Sequence, residues 1–121
     1  MADITVKRIE DFEGYQGQFL YAGKGLGVRA FGINVLKLPA NWPDYPEHHH
    51  ANDGQEEVYV VLKGSARLVA GSASWDLEPG MFARVGPAEK RKIVPGPGGV
   101  TILALGGTAG KPYVVPAPGK R

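Results

Sequence analysis

Cysteine is absent from this 121-residue chain, which removes disulfides, thiolate metal sites and thiol nucleophiles together. Histidine is scarce as well: there are three, and they are contiguous. No stretch carries apolar residues at helical spacing for long enough to suggest a bundle. No apolar run approaches the length of a membrane span, and Met1-Ala2-Asp3-Ile4-Thr5-Val6-Lys7 lacks the apolar centre of a signal peptide, so a soluble cytoplasmic protein with no membrane partner is expected. Charge of either sign is sparse. The net charge is +2, and outside Lys90-Arg91-Lys92 and Lys120-Arg121 the basic residues are scattered, whereas a nucleic-acid interface would show a dense basic face interleaved with aromatics. No nucleic-acid partner is expected. No serine lies in a Gly-x-Ser-x-Gly setting, and Gly23-Lys24-Gly25-Leu26-Gly27 lacks the strand-to-helix context of a phosphate loop, reading instead as a flexible hairpin connection.

What the chain does have is punctuation. Eighteen glycines and ten prolines break it into short apolar runs, the pattern of a sandwich or barrel, and its length suits one domain over residues 1–121. Residues 1–14 contain Ile4, Val6 and Ile9 and read as an edge strand or an arm. Short strands are expected over 17–21, 58–62, 65–69, 74–77, 81–85 and 100–105, with a longer one over 28–38 stopped by Pro39. Val94-Pro95-Gly96-Pro97-Gly98-Gly99 reads as a turn, too rich in proline and glycine for a strand interior, and an irregular tail follows Gly106.

Almost all the metal-capable chemistry falls within ten residues, from His48-His49-His50 to Glu56-Glu57. Alternate residues of an extended chain share a face, so His48 and His50 point one way and His49 the other. Asn52-Asp53-Gly54 supplies a turn, and Val58-Tyr59-Val60-Val61-Leu62 reads as the returning strand. Glu57 then shares its face with Tyr59 and Val61. Two imidazoles and a carboxylate with coordination positions left over suit a divalent ion such as Fe, Mn, Ni or Zn. A one-residue slip would exchange Glu57 for Glu56.

These residues resemble the first motif of the cupin superfamily, in which a His-x-His pair, a glutamate and a glycine seven residues further on lie on adjacent strands; here they are His48, His50, Glu57 and Gly64. The interval between His50 and Glu57 is longer than the family's usual spacing, and Trp42 stands where a glycine would precede the histidines. The second motif, counted from Gly80, places Arg91 where the family has its further histidine ligand. The resemblance covers about residues 28–107 and implies an all-β, single-domain cupin-type β-barrel, a double-stranded β-helix or jelly roll, with an N-terminal strand arm, an irregular C-terminal tail and a homodimer paired through N-terminal strands.

Arg91 cannot ligate a metal, because its guanidinium stays protonated, but it suits either a substrate anion or an ion pair with Glu57 or Glu56. Tyr59 is expected to face the pocket on Glu57's side, and Trp75, Phe82 and Tyr21 are further candidates for the barrel interior. Three functional readings stand. One is a metal-dependent enzyme of dioxygenase or isomerase type, with the ion at His48, His50 and Glu57 and a small, anionic substrate oriented by Arg91 and Tyr59. The second is a non-catalytic ligand-binding or sensor barrel, metal-free because Arg91 replaces a ligand. The third is a metal-free acid/base enzyme using a histidine with Tyr59.

Overall fold

The computed structural model describes residues 2–116. Extended chain leads to a single turn of tight helix at Ile9–Asp11, followed by β1 (Gly14–Tyr15), β2 (Phe19–Leu20), α1 (Ala22–Leu26), β3 (Gly32–Leu38), β4 (Gln55–Ala70), β5 (Ala73–Leu77), β6 (Phe82–Val85) and β7 (Lys92–Thr108). All strand pairings are antiparallel. The path runs β1-β2-β3-β7-β4-β5, with β6 pairing β4 as well. Among the described residues no helix is long and apolar enough to cross a membrane.

Two long strands organise the barrel. The first part of β4 pairs with the end of β7 and with β6, while its second part pairs with the start of β7 and with β5, so both strands pass through both halves of the structure. The register slips between Val61 and Lys63 and again between Gly64 and Ala66, and such bulges bend a strand without ending it. Gly64 has φ 78° and Gly99 has φ 75°, backbone that L side chains avoid. A Cβ on Gly64 would overlap the carbonyl oxygen of Gly99, so two glycines are needed where the bent strands cross closely.

This bend corrects two expectations. The Pro-Gly run over 94–99 lies within β7, where Pro95 pairs with Ala66 beside the bulge; its local turn preference yields to a long partner bent at the same level. The strands expected over 58–62 and 65–69 are likewise one continuous strand. Gly106 does not begin the tail either, since β7 continues to Thr108; the last residues of that tail lie outside the described residues. Nor is Gly23–Gly27 a loose hairpin connection: Ala22–Leu26 forms one helical turn, closed by Gly27 in the left-handed region with its N–H on the carbonyls of Gly23 and Lys24. The Val28 N–H is held by the Gly23 carbonyl, so β3 starts at Gly32 instead of Val28.

The inner face changes character along its length. Leu38 pairs with Val100; the next inward rung is Leu36, Ile102 and Val61, all buried. Asn34, Ala104 and Tyr59 follow, and then Gly32, Gly106 and Glu57. Apolar packing therefore fills one end, while small and polar residues leave space at the other. On the outer side, Val35 packs with Leu20 and Ala22, joined by Ile9, Phe12, Ile33 and Leu103. Phe82, paired with Val60, faces outward and is 72% exposed; Trp75 shares its face with the buried Leu68 and Leu77 but, on β5 at the end of the sheet, is 52% exposed.

Candidate metal centre

His48, His50 and Glu57 come together at the polar end of the barrel. Their ligand atoms all lie within 4.8 Å of one another. Glu57 is delivered by β4, flanked by Gly106 on β7 and Val85 on β6. The histidines lie on an extended connection, tied down at two points instead of running as a regular strand. His48 and Arg91 exchange both backbone hydrogen bonds, at 3.0 and 2.9 Å, and the His50 N–H donates to the Pro87 carbonyl at 2.7 Å. The longer interval after His50 is taken up by a turn in which the Gly54 N–H returns to the His50 carbonyl. Glu56 faces the opposite side, where the Arg84 Nε donates to it at 2.8 Å.

The ring contacts define which imidazole nitrogen is available. His48 Nδ1 lies 3.0 Å from the Pro46 carbonyl, which can only accept, so this nitrogen carries a proton. His50 Nδ1 lies 3.2 Å from both Asp53 oxygens and is protonated for the same reason. In the neutral rings each Nε2 is then left with a lone pair, and these two atoms stand 3.5 and 3.3 Å from Glu57 Oε1. Outer groups fixing the ring tautomer are the usual surroundings of metal-binding histidine. The residues present therefore fit a divalent ion.

Glu57 has other partners. Arg91 Nη2 donates to Oε1 at 2.6 Å, and the Tyr59 hydroxyl donates to the same oxygen at 2.8 Å. Burial raises the Glu57 pKa, but its interactions with His48, Arg91, Tyr59 and His50 outweigh that effect and hold the carboxyl down at about 2. Burial pushes the Tyr59 hydroxyl well above its ordinary range, reinforced by Tyr45, whose own hydroxyl is 3.3 Å away, and by Glu57, so Tyr59 stays a proton donor. For Arg91, burial acts against the charge, while Tyr59 and Glu57 act for it and prevail.

Arg91 and Tyr59 are 0% and 1% exposed. Arg91 spends its donors on Glu57, on Tyr59 at 3.4 Å and on the Glu89 carbonyl at 2.7 Å. The cavity in front of the triad, about 240 Å³, is lined by His48, His50 and Glu57 with Asn34, Gln55 and Tyr113 and with the small residues Gly32, Ala104 and Gly106. Asn34, Gln55 and Tyr113 were not singled out from sequence. Tyr113 lies beyond β7, and its hydroxyl would be 3.0 Å from a Cβ at Gly32.

No protein-family model and no curated protein matches the sequence. Solved structures do match. A cupin protein of Bacteroides fragilis superposes with TM-score 0.70 at 19% identity, covering 96% of this chain and 93% of that one. A sugar phosphate isomerase from a cupin superfamily, of Silicibacter pomeroyi, gives TM-score 0.70 at 22% identity over 84% of this chain and 74% of that one. The DMSP lyase of Ruegeria pomeroyi gives 0.57 at 23%, over 77% of this chain and 46% of that one. The fold is that of the cupin superfamily, an all-β barrel. At these identities the likeness establishes the fold alone.

Proposed function

We propose that the chain is a small-molecule-binding cupin that holds one divalent metal ion, Fe, Mn, Ni or Zn, at His48, His50 and Glu57 and acts as a metal-dependent enzyme of dioxygenase or isomerase type. The observation that supports this reading most is the convergence of two tautomer-fixed Nε2 atoms on Glu57 Oε1. An ion so held supplies Lewis acidity and a template, with coordination positions open to substrate oxygens. Asn34, Gln55 and Tyr113 offer hydrogen bonds that orient the substrate. Arg91 and Tyr59 act on Glu57 and fix its carboxylate, instead of clamping the substrate themselves. That two of the structural relatives are named as an isomerase and a lyase agrees with catalysis on this fold without assigning either activity here.

A second reading is a metal-free ligand-binding or sensor barrel. Its support is the 2.6 Å contact through which Arg91 already supplies Glu57 with a positive partner. Metal analysis of protein purified without an affinity tag and offered Fe(II), Mn(II), Ni(II) and Zn(II) separates the two. Stoichiometric metal that disappears in the His48→Ala, His50→Ala double variant is the expected result; failure to retain any of the four ions contradicts the first reading.

We further propose a homodimer and a cytoplasmic location. Ile4 and Val6 are 75% and 85% exposed on an extended arm, and large apolar side chains stand out near the sheet edges, which suits a second copy. Sedimentation analysis and cell fractionation test these two points.

A further inference from the structure

The charges around the cavity narrow the class of substrate. Glu57 supplies one negative charge and Arg91, 2.6 Å behind it, cancels that charge. The histidines, protonated on Nδ1, are neutral as ligands. An ion held there keeps its double positive charge, which favours an anionic chelating end on the substrate. Beyond the ion the walls are different. Asn34, Gln55 and Tyr113 present amide and hydroxyl groups, and no lysine or arginine among the described residues lines the cavity. A phosphate at that far end would find no counter-charge in the lining. The space is also small, about 240 Å³, below the ~300–1,000 Å³ of ordinary ligand pockets.

The cavity exists because of two glycines. Gly32 and Gly106 pair across β3 and β7, and Gly106 pairs with Glu57 on its other side. A Cβ on Gly106 would stand 2.9 Å from Gln55 Oε1, the far end of a flexible side chain, and 3.7 Å from Glu57 Cγ. Alanine there narrows the cavity while leaving the metal ligands in place.

We propose that the site takes a compact hydroxy acid or a molecule of like chemistry, with chelating oxygens at the ion and an uncharged, hydroxylated remainder, and that it discriminates against a phosphorylated far end. The inference rests on the metal-centre reading above and goes further by assigning the substrate class.

Glycerate and 3-phosphoglycerate form the test pair, because they share a carboxylate and a neighbouring hydroxyl and differ only at the far end. Calorimetric titration of zinc-loaded protein is expected to show glycerate binding at least about tenfold more tightly than 3-phosphoglycerate. Gln55→Lys, which places a cation in the lining, should remove that preference, and Gly106→Ala should weaken glycerate binding about tenfold with zinc content unchanged. Equal or tighter binding of 3-phosphoglycerate by the original chain, or no binding of glycerate to protein that has taken up zinc, overturns the inference alone. Failure to load zinc at all overturns the metal-centre reading and the inference with it.

Discussion

Arg91 Nη2 lies 2.6 Å from Glu57 Oε1, the same oxygen that both imidazoles face. The guanidinium is fully buried, and the backbone of the same residue is bonded to His48 through two hydrogen bonds. Residue 91 therefore positions one ligand through its side chain and another through its main chain.

Replacing Arg91 by methionine keeps most of the side chain's volume and removes its charge. Glu57, largely buried, then loses its permanently charged partner and keeps only Tyr59, His48 and His50 beside it, and the metal-free protein should lose about 3–5 kcal/mol of stability. A divalent ion can replace the missing charge, so zinc should raise the melting temperature more in the variant than in the original chain. Thermal unfolding with and without zinc checks both; equal zinc shifts would show that Arg91 and the ion do not act on the same carboxylate.

Glu57 makes the metal-free protein sensitive to acid. Its carboxyl is lowered from 4.5 to about 2 in the folded state, so its contribution is fully present above pH 4.5 and is lost as pH falls from there towards 2. Such a change is worth on the order of 3 kcal/mol. Urea unfolding of chelator-treated protein between those pH values should show a steeper loss of stability than the same measurement on Glu57→Gln. Parallel pH profiles would mean that Glu57 is not stabilised by its neighbours.

Asp53 tests how the tautomer of His50 is fixed. It accepts from His50 Nδ1 and also from the Gln55 N–H at 3.1 Å, so Asp53→Asn keeps the turn and removes the charge. Zinc affinity should fall about tenfold while the fold is unchanged. Competition titration against a chromophoric chelator measures this, and an unaltered affinity would argue against an outer-sphere role for Asp53.

The crossing of β4 and β7 offers a test of the barrel itself. Gly64→Ala places a methyl group on the Gly99 carbonyl and in a left-handed backbone region, so a loss of about 3 kcal/mol or more is expected. Gly71 has φ 60° with nothing near its missing Cβ, and its alanine variant should cost only the ~1–2 kcal/mol of left-handed backbone. Chemical denaturation of the two variants gives the comparison.

The triad was legible because it is written locally. His48 and His50 sit at alternate positions, and Glu57 heads a β-branched run that fixes its face. Asn34, Gln55 and Tyr113 were not, since they are ordinary polar residues brought together only by the pairing of β3, β7 and β4. The signal that was available is the spacing of Gly32, Ala104 and Gly106, small residues at positions where neighbouring rungs carry large apolar ones. Misreading 94–99 as a turn has a similar origin: local proline and glycine preferences gave way to a partner strand that bulges opposite them. Phe82 was a candidate for the interior on residue type, whereas its pairing with Val60 turns it outward; Trp75 shares the inward face of Leu68 and Leu77 but lies on β5 at the end of the sheet, which leaves it half exposed.

X-ray absorption spectroscopy of the zinc-loaded protein shows whether the two imidazoles ligate the ion. A coordination shell of nitrogen and oxygen with outer-shell scattering from two imidazoles is expected, reduced when either His48 or His50 is replaced by alanine. A zinc spectrum without imidazole scattering, or one unaffected by both substitutions, would contradict ligation by these residues.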